Sequence, residues 1–281
     1  MIDLPDADLP AAALPDAGLP DLEAAMDAAW PAPDRELSGG WVLRAANGVT
    51  QRANSIWPRS EPRGTRDERL AALRDARAWY RGRRLPVIFQ VFDTPGSSAL
   101  NAVLDEEGFT RQSETLVMVR AADLAPAALG DAPETGAGVE MSEHPSAEWL
   151  DLWWSVDGRG GAPELDAARA ILTACPALYA LVRDDDGGPA AVGRLAVVPG
   201  GTVGPCGAAV PGTGVVPGAA GSWGGLYCMA TRPDARRRGY ATRVQQALFS
   251  AGAARRTGGL LAAGDGVELR CPGAVLPGRL P

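Results

Sequence analysis

The sequence predicts a mixed α/β protein of the α+β kind: two units in tandem, each a mixed sheet flanked by helices. Three observations carry this. Strand-like and helix-like segments interleave in the order β-α-α-β-β-β-α-β over the second half, which gives a mixed sheet and not a doubly wound parallel one. A stretch rich in Ala, Pro, Gly and Asp, residues 121–138, separates that half from a first half with strands and helices of its own. The 281 residues, 46% hydrophobic and 22% charged, suffice for one large or two modest globular domains.

The elements follow in chain order. Leu-Pro recurs with a period of five at Leu4-Pro5, Leu9-Pro10, Leu14-Pro15 and Leu19-Pro20, so residues 1–20 read as a disordered tail in which proline removes donors and blocks helix. A first domain is expected over residues 21–125. A short helix over 22–30 is stopped by Pro31. Residues 40–45 and 48–57 read as a strand pair turned at Asn47-Gly48. A helix over 65–80, capped by Thr65, carries Leu70, Leu73, Ala76 and Tyr80 on one face. The apolar run 86–92 suggests a strand buried on both faces. A helix from Ser97 ends at Gly108, and residues 109–119 supply strand material.

Residues 126–138 are the expected linker and 139–281 the second domain. Its expected elements are a strand over 139–142, helices over 145–156 and 163–174, and an antiparallel pair, 177–183 and 190–198, joined by the tight turn 184–188. A Gly/Pro-rich insert, 199–222, then precedes a strand over 225–231, a helix over 238–254 and a strand over 258–263.

Composition excludes several functions. The net charge is −7, all 27 basic residues are arginine, and Arg63 to Arg84 are interleaved with acids, so no nucleic-acid partner is expected. No run approaches the roughly 18 apolar residues of a membrane span. Cys175, Cys206, Cys228 and Cys271 lack metal-ligand spacing and His144 is the only histidine, so no metal is expected. The acidic start lacks the pattern of a signal peptide, which points to the cytoplasm and free thiols.

The segment that carries chemistry runs from strand 225–231 through an Arg/Gly-rich loop into a helix. Gly239 permits a close backbone approach or positive φ, and Ala241 keeps the first helical turn free of bulk. Exposed N–H groups at the helix start, with Arg236, Arg237 and Arg238 beside them, make an anion site suited to a diphosphate. There is no Gly-Lys-Ser/Thr and no G-x-G-x-x-G here.

Pro233-x-x-Arg236-x-x-Gly239-x-Ala241, with a strand before it and a helix after it, resembles the coenzyme A-binding motif of the GNAT superfamily of N-acetyltransferases. The resemblance covers residues 139–263 and, more faintly, the first half, whose loop 58–64 lacks the full motif and reads as a degenerate repeat. It implies a tandem GNAT-like fold and an acetyl group moved from acetyl-CoA, the co-substrate, to a small-molecule or peptide amine. It also implies a coenzyme site with Met229, Ala230 and Thr231 on the strand, and Arg236, Arg237, Arg238, Gly239, Tyr240, Ala241 and Thr242 in the loop and helix start. The rival reading is a non-catalytic acyl-CoA-binding or regulatory protein with the same loop. Residues 264–281 depart from the family, and no tyrosine follows Tyr240 to serve as the family's general acid, which implies an impaired activity. The base is unassigned; Cys228, Glu140 and His144 are the residues to weigh.

Overall fold

Seven strands drawn from both halves of the chain form one sheet. The computed structural model describes residues 19–59, 64–121, 138–198, 222–254, 257–262, 269–271 and 275–277. The second half supplies β5 (Val139–Ser142), β6 (Ala177–Arg183), β7 (Pro189–Val198), β8 (Ser222–Thr231), β9 (Thr257–Ala262) and β10 (Leu269–Cys271). The first half supplies β4 (Thr115–Ala121), and the order across the sheet is β10-β4-β9-β8-β7-β6-β5. All neighbours are antiparallel except β8 and β9, whose connection through α6 (Tyr240–Ala254) requires parallel pairing. The mixed α/β class and the order of strands and α-helices along the second half up to β9 agree with the sequence.

Helices α4 (Ala147–Asp157) and α5 (Ala162–Thr173) cover one face, where Trp149, Trp153, Ile171 and Leu172 pack on Tyr179, Leu181 and Val192. Ser146 caps α4 by accepting from Trp149 N at 3.1 Å. On the other face Tyr240, Val244, Leu248 and Phe249 of α6 pack on Leu178, Ala180, Val182 and Leu195. Gly193 of β7 lets α6 approach: a Cβ there would stand 2.6 Å from Val244 and 2.5 Å from the Met229 sulfur.

The first half has its own core, formed by Trp41, Leu43, Ile56, Leu73, Tyr80, Phe89, Leu100 and Phe109. Helix α2 (Arg66–Gly82) starts at Thr65 as expected, with Glu68 completing a reciprocal capping box. Helix α3 (Ser98–Glu106) leads to Gly108 at φ 80° and then to the short β3 (Phe109–Arg111), which pairs with β11 (Val275–Pro277). Ser97 precedes α3 without capping it through its side chain.

Three expectations for this half need correction. The hairpin pairs β1 (Asp34–Ser38) with β2 (Trp41–Ala45) and turns at Gly39-Gly40, both at positive φ, and not at Asn47-Gly48. Asn47 and Gly48 do have positive φ, but the buried Asn54 side chain gathers this chain segment into a loop. It accepts from Ala46 N and Gly48 N and donates to the carbonyls of Val49 and Thr50. Residues 48–57 therefore hold a short 3-10 turn at Arg52–Asn54, and of the expected strand pair only Val42 and Trp57 join, by one antiparallel bridge. Residues 86–92 are extended but join no ladder; their backbone pairs by a single bridge, Ile56 with Phe89, while Phe89 and Val91 enter the core of this half.

Helix α1 (Leu19–Ala29) begins inside the expected tail, at Leu19-Pro20, and binds the halves together. Leu22 and Met26 pack on Phe92 and Val117, while Ala25 and Ala29 pack on Ala196 and Val198. Of the other expected segments, residues 1–18, linker residues 122–137 and insert residues 199–221 lie outside the described residues, as does most of the stretch 264–281. Ser222, the last residue of the insert as predicted, opens β8 opposite Thr257.

Candidate functional site

Strand β8 decides the site. Its pairing with β9 ends at Gly225 opposite Leu261, whereas its pairing with β7 continues to Thr231 opposite Ala191. Along residues 226–231 the edge that faces away from β7 therefore has no strand partner among the described residues. A bulge lies in this stretch: Gly193 of β7 stands opposite both Cys228 and Met229, and Cys228 takes φ 55° to absorb the extra residue. Unpaired backbone N–H and C=O groups are strong hydrogen-bonding groups that must find partners. An opened, bulged strand of this kind offers them to an extended ligand.

The chain leaves β8 through a 3-10 turn, Pro233–Ala235, anchored by the buried Ala235. Arg232 fixes the start of this turn with ion pairs to Asp184 at 2.6 Å and Asp234 at 2.7 Å. Asp184 also accepts from the amides of Asp186 and Gly188, and these partners hold its carboxyl below the usual range, Arg232 foremost. Arg237 at φ 63° and Gly239 at φ 80° then curl the loop into α6. A Cβ at Gly239 would meet nothing within 4 Å, so glycine is required here by conformation and not by space. The first α6 bond of this turn runs from Arg243 N to Gly239 O at 3.1 Å, which leaves the amides of Tyr240, Ala241 and Thr242 without intrahelical acceptors.

The expected site residues divide by role. Arg236, Arg237 and Arg238 are exposed and make no ion pair among the described residues; Arg236 donates to Thr231 O at 3.4 Å, tying loop to strand. Ala241 and Thr242 are exposed on the first turn of α6. Ala230 is buried opposite Val192, Thr231 is half-buried, and Met229 turns its side chain toward α6. Tyr240 is core, packed with Val244 and Leu248, so only its backbone is available. The geometry thus brings together an opened strand edge, a helix N-terminus and three arginines, a donor set that fits an extended arm ending in a diphosphate.

The residues weighed as base fare differently. Glu140 lies on β5, at the sheet edge three strands from β8, in an exposed ion pair with Arg183. His144 lies in the exposed turn after β5. Neither reaches the opened edge. Cys228 does sit at the bulge, but burial pushes its thiol up to about 12, so it is protonated near neutrality and is a poor nucleophile.

On the side of β8 opposite α6 lies a cavity of about 300 Å³ that the sequence did not reveal. It is walled by Trp30, Trp153, Tyr227 and Cys228, with Arg52 and Asp157 as its charged residues. Trp30 and Arg52 come from the first half. Trp30 tilts against Tyr227 at 5.7 Å between ring centres, and the Arg52 guanidinium lies over the Tyr227 ring at 5.2 Å. Asp157 ends α4 and has its carboxyl raised by desolvation, against the opposing influence of Arg159, Trp153 and Arg236. Trp153 and Asp157 are four residues apart on one helix, the single sequence signal that could have pointed here.

Behind the aromatic wall, Arg194 of β7 is fully buried. It donates to the carbonyls of Ala29 at 3.1 Å and Leu172 at 2.9 Å, near the C-termini of α1 and α5, and stands 5.7 Å from the Trp30 ring and 6.0 Å from Tyr227. Two helix C-termini supply the negative potential that a carboxylate would otherwise give.

Among the described residues no cluster of metal-ligating side chains occurs and no helix is long and apolar enough to cross a membrane. A family profile described as "Probable histone acetyltransferase Rv0428c C-terminal" matches residues 17–263. The chain is 28% identical over 138 residues to "Uncharacterized N-acetyltransferase YobR" of Bacillus subtilis (strain 168), covering 49% of this chain and 52% of that protein, so it spans about half the length of that curated relative. Among solved structures, "GCN5-related N-acetyltransferase from Kribbella flavida" superposes with a TM-score of 0.60 at 17% identity, covering 92% of this chain and 95% of that one, which shows a shared fold. A "Tandem GNAT protein from the clavulanic acid biosynthesis pathway (without AcCoA)" gives 0.49 at 13% identity over 79% and 73% of the two chains. With the profile spanning both halves and the opened strand leading into the α6 loop, the chain belongs to the family described as probable histone acetyltransferase Rv0428c C-terminal, within the GNAT N-acetyltransferases.

Proposed function

We propose that the protein is an acetyl-CoA-dependent N-acetyltransferase that moves the acetyl group directly to an amine while both substrates are bound. One observation carries this reading: β8 parts from β9 after Gly225 and runs, through the Arg236–Gly239 loop, into the N-terminus of α6. The amides of Tyr240, Ala241 and Thr242 bind the diphosphate, and Arg236, Arg237 and Arg238 add positive potential around it. The opened edge of β8 pairs with the pantetheine arm as a strand would. Bound acetyl-CoA supplies a thioester whose carbonyl carbon takes the amine nitrogen as the C–S bond breaks, the displaced sulfur ending as a thiol. The backbone at the Cys228-Met229 bulge polarises that carbonyl, and the protein's main contribution is to hold the two reactants together. The acceptor is a small-molecule or peptide amine; the name of the family includes histone acetyltransferase, which makes a peptide lysine one such amine.

The test is release of free thiol from acetyl-CoA by the purified full chain, with and without a panel of amines. Amine-dependent release is the expected result. Calorimetric binding of coenzyme A without amine-dependent release would contradict transfer and leave a binding protein.

A further inference from the structure

The cavity on the far side of β8 holds two opposite charges that do not pair with each other. The cations acting on Asp157 are Arg159 and Arg236, and Arg52 is not among them. Arg52 makes no ion pair among the described residues; its guanidinium carbon stands 5.2 Å from the centre of the Tyr227 ring, and its N–H groups can donate in pairs to a planar anion. Between these poles the walls are aromatic faces. Trp30 spends its indole N–H on Thr50 at 3.1 Å, and its ring and that of Trp153 line the cavity. A cavity of about 300 Å³ is at the small end of ligand sites and suits a compact molecule.

Building on the transferase reading, we propose that this cavity takes an acceptor carrying an amine and a carboxylate on one compact apolar or aromatic body, an α-amino acid or a close relative of one. Asp157 receives the ammonium and Arg52 the carboxylate. The amine end then lies beside the Cys228 bulge, on the strand that runs on into the coenzyme loop. The Asp157 carboxylate takes one proton from the ammonium and passes it to solvent, which frees the nitrogen lone pair. The second proton leaves the nitrogen as the new N–C bond forms and ends on the displaced sulfur. A lysine side chain in a protein offers no carboxylate and would leave Arg52 without an anion to receive its N–H groups. The first half thus contributes to acceptor choice through Trp30 and Arg52, although it carries no complete coenzyme motif.

The experiment measures thiol release with the twenty proteinogenic amino acids, each beside its own amide, and with a lysine-containing histone-tail peptide. Wild type, Arg52→Gln and Arg52→Lys are compared, with circular dichroism to confirm folding and calorimetry to measure coenzyme A binding. The inference expects at least one amino acid to exceed its amide by about ten- to hundredfold in kcat/KM, the worth of a charge-assisted hydrogen bond. Arg52→Gln should remove that preference by raising KM for the amino acid alone, Arg52→Lys should restore part of it, and neither should change coenzyme A affinity. Three results overturn the inference and leave the transferase reading standing: amides reacting as well as amino acids, the histone peptide reacting faster than both, or a folded Arg52→Gln variant unchanged in preference. Coenzyme A binding with no reaction of any acceptor overturns it too, in favour of a binding protein. Failure of wild type to bind coenzyme A removes the transferase reading itself, and the inference with it.

Discussion

Among the described residues each half of the molecule buries one arginine against helix α1, and the two are neutralised by different means. In the first half, Arg44 of β2 pairs with Asp27 at 2.9 Å and donates to Ser55 and Gln90; burial lowers its pKa and Asp27 opposes that. In the second, Arg194 of β7 has no carboxylate among the described residues and relies on the carbonyls of Ala29 and Leu172. The difference is one of vulnerability. A side-chain partner can be lost by one substitution, leaving a charge stranded in low dielectric, whereas a helix C-terminus persists as long as the helix does. It is also one of purpose. Arg44 ties α1 to the first core, while Arg194 stands behind Trp30 and Tyr227 and stiffens the wall of the cavity.

The largest effect expected is from Asp27→Ala, which strands Arg44 and releases Arg35 as well. It should cost about 3–5 kcal/mol in denaturant unfolding. Arg194→Met removes the charge and leaves neutral acceptors short of donors, the carbonyls of Ala29 and Leu172, the Tyr179 hydroxyl and the Cys175 sulfur, so it should cost less, about 1–3 kcal/mol. It should also weaken acceptor binding while coenzyme A affinity is unchanged, because Arg194 reaches toward the cavity face of the sheet and α6 packs on the other. If Arg194→Met proves the more damaging, the comparison fails.

A smaller, pH-dependent effect belongs to the second half. Asp184 anchors Arg232 at the entry to the loop, and its carboxyl is held below the usual range. A depressed carboxyl contributes stability above the unfolded-state pKa of about 3.9 and loses it as pH falls through the folded value. Asp184→Asn should therefore be less stable than wild type at pH 7, with the gap closing in acid; a gap independent of pH would contradict the assignment. The smallest effect is expected at Cys228. With the thiol at about 12, its alkylation at pH 8 should be slow in the folded protein, and Cys228→Ala should keep its turnover within a few fold. Loss of turnover would restore Cys228 as a nucleophile.

What the sequence made legible was local. The Thr65 cap, the 184–188 turn, the order of elements in the second half and the Gly239 loop depend on neighbours within a few residues, and each is found where expected. The misses depend on distance. Strand β1, with its charged residues and no β-branched ones, has little strand character and forms because Gly39-Gly40 folds it onto β2. Asn47-Gly48 has the composition of a hairpin, but Asn54 determines its shape from within the loop. The cavity was invisible because Trp30 and Arg52 meet Trp153, Asp157 and Tyr227 only in the folded chain. Charges that matter at such a site give no local periodicity to read.

The claim on which the rest depends is that the start of α6 binds the coenzyme diphosphate. Gly239 is unsuited to test it, since its φ of 80° would strain any other residue whatever the charge. Thr242 is exposed in the first turn of α6, where an acid suits the helix dipole and the fold should survive. Calorimetry of coenzyme A on wild type and Thr242→Asp, with circular dichroism on both, is the most direct measurement. Wild type should bind, and the folded variant should lose at least about tenfold in affinity, from one added like charge beside the diphosphate. Equal affinity in the two folded proteins would contradict it.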